Sequence, residues 1–103
     1  MPDDGVTGDD VTITDRPERR RYELELDGEL VGMLTYRVDL AAGVIAHDHT
    51  EIDPRYGGRG LGSALVRFAL DDARARGLTV QPRCPFVAAV IQRHPEYSNL
   101  VAR

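Results

Sequence analysis

The feature that most constrains this chain is a glycine run, Gly57-Gly58-Arg59-Gly60-Leu61-Gly62-Ser63, set between an alternating segment and an amphipathic one. Glycine has no Cβ, so the run lets backbone approach a ligand closely and adopt conformations closed to other residues. Where a helix starts at the end of such a run, its first amides have no carbonyl partner and the positive end of its dipole points outward. That combination receives anions, and a diphosphate is its natural occupant. Arg59 adds a charge beside it. The competing reading is a tight turn that holds no ligand.

Two familiar phosphate loops do not fit. A Walker loop needs Gly-Lys-Ser/Thr, and this chain has no lysine, all its basic side chains being arginine. A dinucleotide fingerprint follows a first strand and is answered by an acidic residue about 20 positions on. Here the loop follows several strands, and Ser63 occupies the third glycine position.

Around the loop the periodicities are legible. Val11-Thr12-Ile13-Thr14 alternates as a short strand; Tyr22, Leu24 and Leu26 alternate with Glu23, Glu25 and Asp27. Asp27-Gly28 is a hairpin signal, Leu30–Val38 reads as the next strand, and Val44–Ile52 completes an antiparallel meander. Leu61, Ala64, Leu65, Phe68, Ala69 and Ala73 recur at helical spacing, which predicts a helix from Leu61 to about Arg76 with Gly77 at its C-terminal cap and Phe68 in the core. Leu78-Thr79-Val80 is a short strand. Pro85 suits the first turn of a second helix, Phe86 to about His94, and Pro95 stops it. The expected architecture is α/β (α+β): a mixed, mostly antiparallel sheet of about five strands with two helices.

The bulk properties set bounds. With 103 residues the chain has room for one domain, expected over 11–103, preceded by an acidic tail, 1–10, expected to be disordered. A net charge of −4 argues against nucleic acid as the main partner. Cys84 is the single cysteine, so no intramolecular disulfide forms. No apolar run approaches the roughly 20 residues of a membrane span, and the acidic start is no signal peptide, so a cytoplasmic location is expected. Strand edges leave monomer and homodimer both open.

Residues able to carry chemistry cluster around the loop. His47, His49 and Glu51 alternate on one strand and are expected on one face, with His47 as ordinary surface and His49 as a general base that Glu51 orients or replaces through a water. Two histidines without further ligands do not make a metal site, and none is expected. Cys84 precedes a helix start, where a thiolate is favoured. It could act as a nucleophile, line the site as a wall residue, or fill space as a small hydrophobe. Arg93, His94 and Tyr97 close the second helix; they could touch the adenosine or phosphates of a bound ligand or cap the helix and close the core, and the structural role is favoured. Arg19-Arg20-Arg21 reads as a solvated strand edge.

The arrangement resembles the GNAT superfamily of N-acetyltransferases, whose motif Gln/Arg-x-x-Gly-x-Gly/Ala sits between the fourth strand and the following helix. Gly60 and Gly62 match its small positions, while Gly57 departs from its leading Gln/Arg. His49-Thr50-Glu51, Gly58–Ser63, Cys84-Pro85-Phe86 and Arg93-His94-Pro95-Glu96-Tyr97 resemble in particular its minimal, cysteine-containing branch. The resemblance implies acetyl-coenzyme A as co-substrate, held by Gly57, Gly58, Arg59, Gly60, Leu61, Gly62 and Ser63. It implies acetyl transfer to an unidentified amine, small molecule or protein. The alternative is a non-catalytic acyl-coenzyme A-binding or interaction module.

Overall fold

The computed structural model describes residues 10–102. Apart from Asp10, the expected acidic tail lies outside the described residues. Five strands, β1 (Val11–Arg16), β2 (Arg21–Leu26), β3 (Glu29–Asp39), β4 (Val44–Ile52) and β5 (Thr79–Pro82), form one sheet in sequence order. All neighbours are antiparallel except β4 and β5, which run parallel. That parallel pair requires a crossover, and α1 (Leu61–Ala75) supplies it; α2 (Pro85–Arg93) follows β5. The mixed sheet with two α-helices agrees with the periodicities, and short 3₁₀ turns at Pro17–Arg19, Pro54–Tyr56 and Pro95–Leu100 supplement it.

Local chemistry sets the boundaries. Asp27 and Gly28 both have positive φ, 50° and 85°, which gives the two-residue turn that matches strand twist in a hairpin. The end of α1 is closed twice: Gly77 N–H donates to the Arg74 carbonyl at 3.1 Å and Leu78 N–H to the Ala73 carbonyl at 2.9 Å. Gly77, at φ 70°, makes that closure possible. Pro95 ends α2 as the sequence implies, yet it also opens the last 3₁₀ turn, which buries Tyr97 and Leu100.

The core lies between α1 and one face of the sheet. Leu61, Leu65, Val66, Ala69, Leu70 and Ala73 of α1 are buried there with Tyr22, Leu24, Leu34, Ile45 and Val80. The buried tyrosines reach polar partners at its margin. Tyr22 donates to Asp72 at 2.6 Å, Tyr36 to Asp15 at 2.6 Å and Tyr97 to Asp71 at 2.9 Å. Phe68 departs from its expected place in the core; it is 40% exposed and meets Tyr22 edge-on. Arg16, Arg19 and Arg21 fold back on buried Glu23, at 3.5, 2.8 and 2.7 Å, so most of the basic run is an ion-pair clamp.

One irregularity changes the reading of β4. Thr35 pairs with His49 but Tyr36 pairs with His47, so Asp48 is the extra residue of a β-bulge. Alternation resets there. His47 shares the core face with Tyr36 and is fully buried, while His49 and Glu51 point outward opposite Thr35 and Met33. His47 is therefore a core histidine and neither surface nor a member of the His49 row. Both its ring nitrogens lack a hydrogen-bond partner among the described residues.

Burial holds His47 neutral by lowering its pKa from 6.5 to about 4, against a smaller opposing pull from Asp48. Below the ordinary value of 6.5, the unfolded chain takes up a proton that the folded chain refuses, so stability is lost as pH drops from 6.5 towards the folded pKa. Urea unfolding between about pH 6.5 and pH 5 is expected to lose about 2 kcal/mol. A flat profile over that interval would contradict a buried, neutral His47, and His47→Gln is expected to flatten it.

Candidate functional site

The loop begins where β4 ends. Asp53 caps the 3₁₀ turn Pro54–Tyr56 by accepting from the Arg55 amide at 3.0 Å. Gly58 and Gly60 then take positive φ, 78° and 77°, and Gly60 is the N-cap of α1 with no side chain to offer the helix start. Among the described residues, the amides of Gly60, Leu61, Gly62 and Ser63 donate to no backbone carbonyl. They are the helix-start donors that an anion satisfies.

These donors border a pocket of about 360 Å³, lined by Gly57, Gly58, Gly60–Ser63, Ile52, Tyr56, Phe86 and Arg93. A larger apolar groove of about 620 Å³ runs along α2 between Pro82, Pro85, Pro95 and Val101, but no titratable side chain lines it. The smaller pocket instead combines the helix-start amides with a cation, Arg93. Across it, Gly62 and Phe86 nearly touch: a Cβ at Gly62 would sit 3.0 Å from the ring's Cζ. A side chain at position 62 would require the Phe86 ring to give way by a few tenths of an ångström.

Beyond the pocket the sheet opens. The β4–β5 pairing ends at His47 and Pro82, and the Cys84 N–H makes one last bond to the His47 carbonyl at 3.0 Å. β4 runs on alone to Ile52 on that side. Cys84 fills the start of the gap, with its Sγ 3.6 Å from Thr50 Oγ1. Burial pushes the thiol pKa up, but the Val87 amide, the Thr50 hydroxyl and the Phe86 and Thr50 amides outweigh it and hold the thiol below its usual value. This is the electropositive surrounding that favours a thiolate.

His49 and Glu51 are brought together, with Nε2 3.1 Å from Oε2 and side chains 59% and 61% exposed. Thr50, between them in sequence, points to the core face with its partner Leu34 and meets Cys84. His49 and Cys84 thus sit on opposite faces of β4 and do not form a Cys–His dyad. The closing cluster of α2 also divides. Tyr97 is buried under the Arg74 guanidinium, 5.3 Å from its ring centre, and His94 lies 3.7 Å from Glu96, whereas Arg93 lines the pocket. Thr50 and Phe86 fall within the motifs His49-Thr50-Glu51 and Cys84-Pro85-Phe86, but sequence reading gave neither of them a role. No group of three or more potential metal ligands occurs among the described residues.

Comparison with known proteins bears on the geometry. The family pattern described as GCN5-related N-acetyltransferase matches residues 21–100. A GCN5-like protein from Staphylococcus aureus superposes with a TM-score of 0.67 at 22% identity, over 88% of this chain and 87% of that one. The ribosomal-protein-S18-alanine N-acetyltransferase of Escherichia coli gives 0.57 at 23%, over 75% of this chain and 52% of the enzyme. N-acetylglutamate synthase from Neisseria gonorrhoeae, complexed with coenzyme A and N-acetyl-glutamate, gives 0.53 at 21%, over 68% of this chain and 18% of that one. At these identities the structural likeness concerns the fold. No curated protein matches the chain by sequence.

Two outcomes test the geometry. Thr50→Val removes a hydroxyl from Cys84 and is expected to raise the thiol pKa, read from the pH profile of its alkylation by iodoacetamide; an unmoved profile contradicts the contact. Gly62→Ala is expected to be at least about 1 kcal/mol more favourable to stability in a Phe86→Ala background than alone, because the added Cβ no longer meets the ring. Additive unfolding energies would mean that Phe86 does not constrain Gly62.

Proposed function

The chain belongs to the GCN5-related N-acetyltransferase family, and from that premise we propose that it binds acetyl-coenzyme A and transfers the acetyl group to an amine. The observation that carries this reading is the uncapped start of α1, whose amides border a pocket with no competing backbone acceptor. The coenzyme's diphosphate suits these donors, and residues 57–63 would hold it. Ile52 and Phe86 line the same pocket, and Thr50 and Cys84 each lie two residues earlier on the same two segments. The reacting end of the coenzyme is assigned to the gap between β4 and β5 beside that pair, where an amine held on the His49 face of β4 would reach it through the gap.

The bound thioester supplies an activated acetyl group. The chain's residues must then remove a proton from the attacking amine and steady the charge that develops on the carbonyl oxygen. His49 is assigned as base. Glu51, accepting from Nε2–H, would leave Nδ1 free to take the proton. Cys84 is assigned either to line the site or to carry the acetyl group. In the second case its thiolate displaces the coenzyme thiol, and activation comes from the surrounding amides and Thr50, since His49 faces the other way. No helix among the described residues is long and apolar enough to cross a membrane. A cytoplasmic location, where a free thiol stays reduced, belongs to the same proposal.

Calorimetry with acetyl-coenzyme A is expected to show binding, and incubation with an amine panel is expected to release free thiol. Binding without thiol release would leave the non-catalytic acyl-coenzyme A module, and no binding at near-millimolar coenzyme would sink the proposal. Intact-mass measurement after incubation distinguishes the two roles of Cys84: the covalent route gives an acetyl adduct that thiols remove.

A further inference from the structure

The wall of the pocket opposite the glycine loop comes from α2. Phe86 and Arg93 are seven residues, about two turns, apart, so they present one face of that helix to the pocket. Their surroundings differ from those of the other arginines nearby. Arg55 is held by Asp53 at 2.8 Å and Glu29 at 3.2 Å, and Arg59 lies over the Tyr56 ring at 5.4 Å. Arg93, the last residue of α2, pairs with no carboxylate among the described residues and lines the same pocket as the amides of α1.

We propose that Arg93 is a phosphate-binding residue that completes the diphosphate site from the wall facing the glycine loop. The inference rests on the coenzyme reading above and adds a side chain to it. Amides at a helix start supply donors from one side only. A guanidinium opposite them adds full positive charge and a planar fork that can grip two phosphate oxygens at once. The competing role for Arg93 is to complement the negative end of the α2 dipole, which any cation there would do without touching a ligand.

The two roles separate in binding. With Arg93→Gln, calorimetry is expected to show about a tenfold loss of affinity for both coenzyme A and 3′-dephospho-coenzyme A, as for one charge-assisted contact. The slope of log affinity against log salt should also become shallower. Arg93→Lys, which keeps the charge at the helix end, is expected to recover affinity only in part while restoring the thermal midpoint. Unchanged affinity in Arg93→Gln overturns the proposal. So does a loss confined to coenzyme A, which would move the contact to the 3′-phosphate. If the wild-type chain binds neither ligand, the coenzyme reading itself falls, an outcome distinct from a wild type that binds and a variant that binds equally well.

Discussion

The site depends on where β5 stops. Pro82 closes that strand because it has no N–H to continue the ladder, and Pro85 starts α2 three residues later. β4 continues for five residues past its last partner, from Asp48 to Ile52. Two parallel strands that would otherwise zip together are forced apart, and the gap between them is where Cys84 and Thr50 meet. Had β5 matched β4 in length, the backbone groups facing this gap would be spent on the ladder. The glycine loop would then sit at the end of a closed sheet.

The bulge at Asp48 performs a second division within the same strand. On one side of it, His47 is committed to the core, where burial keeps it uncharged. On the other, Thr50 turns inward to Cys84 while His49 and Glu51 turn out to solvent. Asp48 is held in place by Arg37 at 2.7 Å, so the extra residue has its own polar anchor. A strand without the bulge would place all residues of one parity together. The bulge instead turns His47 to the core on the same face as Thr50, while plain alternation beyond it leaves His49 and Glu51 on the other face.

Much of this was legible in the letters, and what was not has a definite cause. Strands and helices followed from period 2 and period 3.6, and the turns from Asp27-Gly28 and Gly77, because these rest on local sterics. The glycine run marked the uncapped helix start for the same reason. The faces of His47 and His49 were misread, since parity counting assumes an unbroken ladder and one inserted residue leaves no mark in the composition. Phe68 matched the apolar period but falls at the rim of the stripe, where Tyr22 already fills the space. Arg93 could not be separated from His94 and Tyr97, because only packing shows that one faces the pocket while Tyr97 is buried beneath Arg74.

Smallness itself shapes access to the site. Four residues, the 3₁₀ turn Pro17–Arg19 and Arg20, are all that join β1 to β2, so the chain inserts no α-helix there to lie over the outward row of Met33, Thr35, His49 and Glu51. A short domain has little apolar surface to bury, so this face is stabilised by charge: Glu23 is nearly inaccessible beneath three arginines. A buried carboxylate is tolerable only while its partners remain, because desolvation opposes its ionised form and the arginines must outweigh that cost. The clamp fixes β1, its turn and β2 to one another without a second hydrophobic layer. Among the described residues the outward side of β4 is accordingly open, with the His49 and Glu51 side chains 59% and 61% exposed.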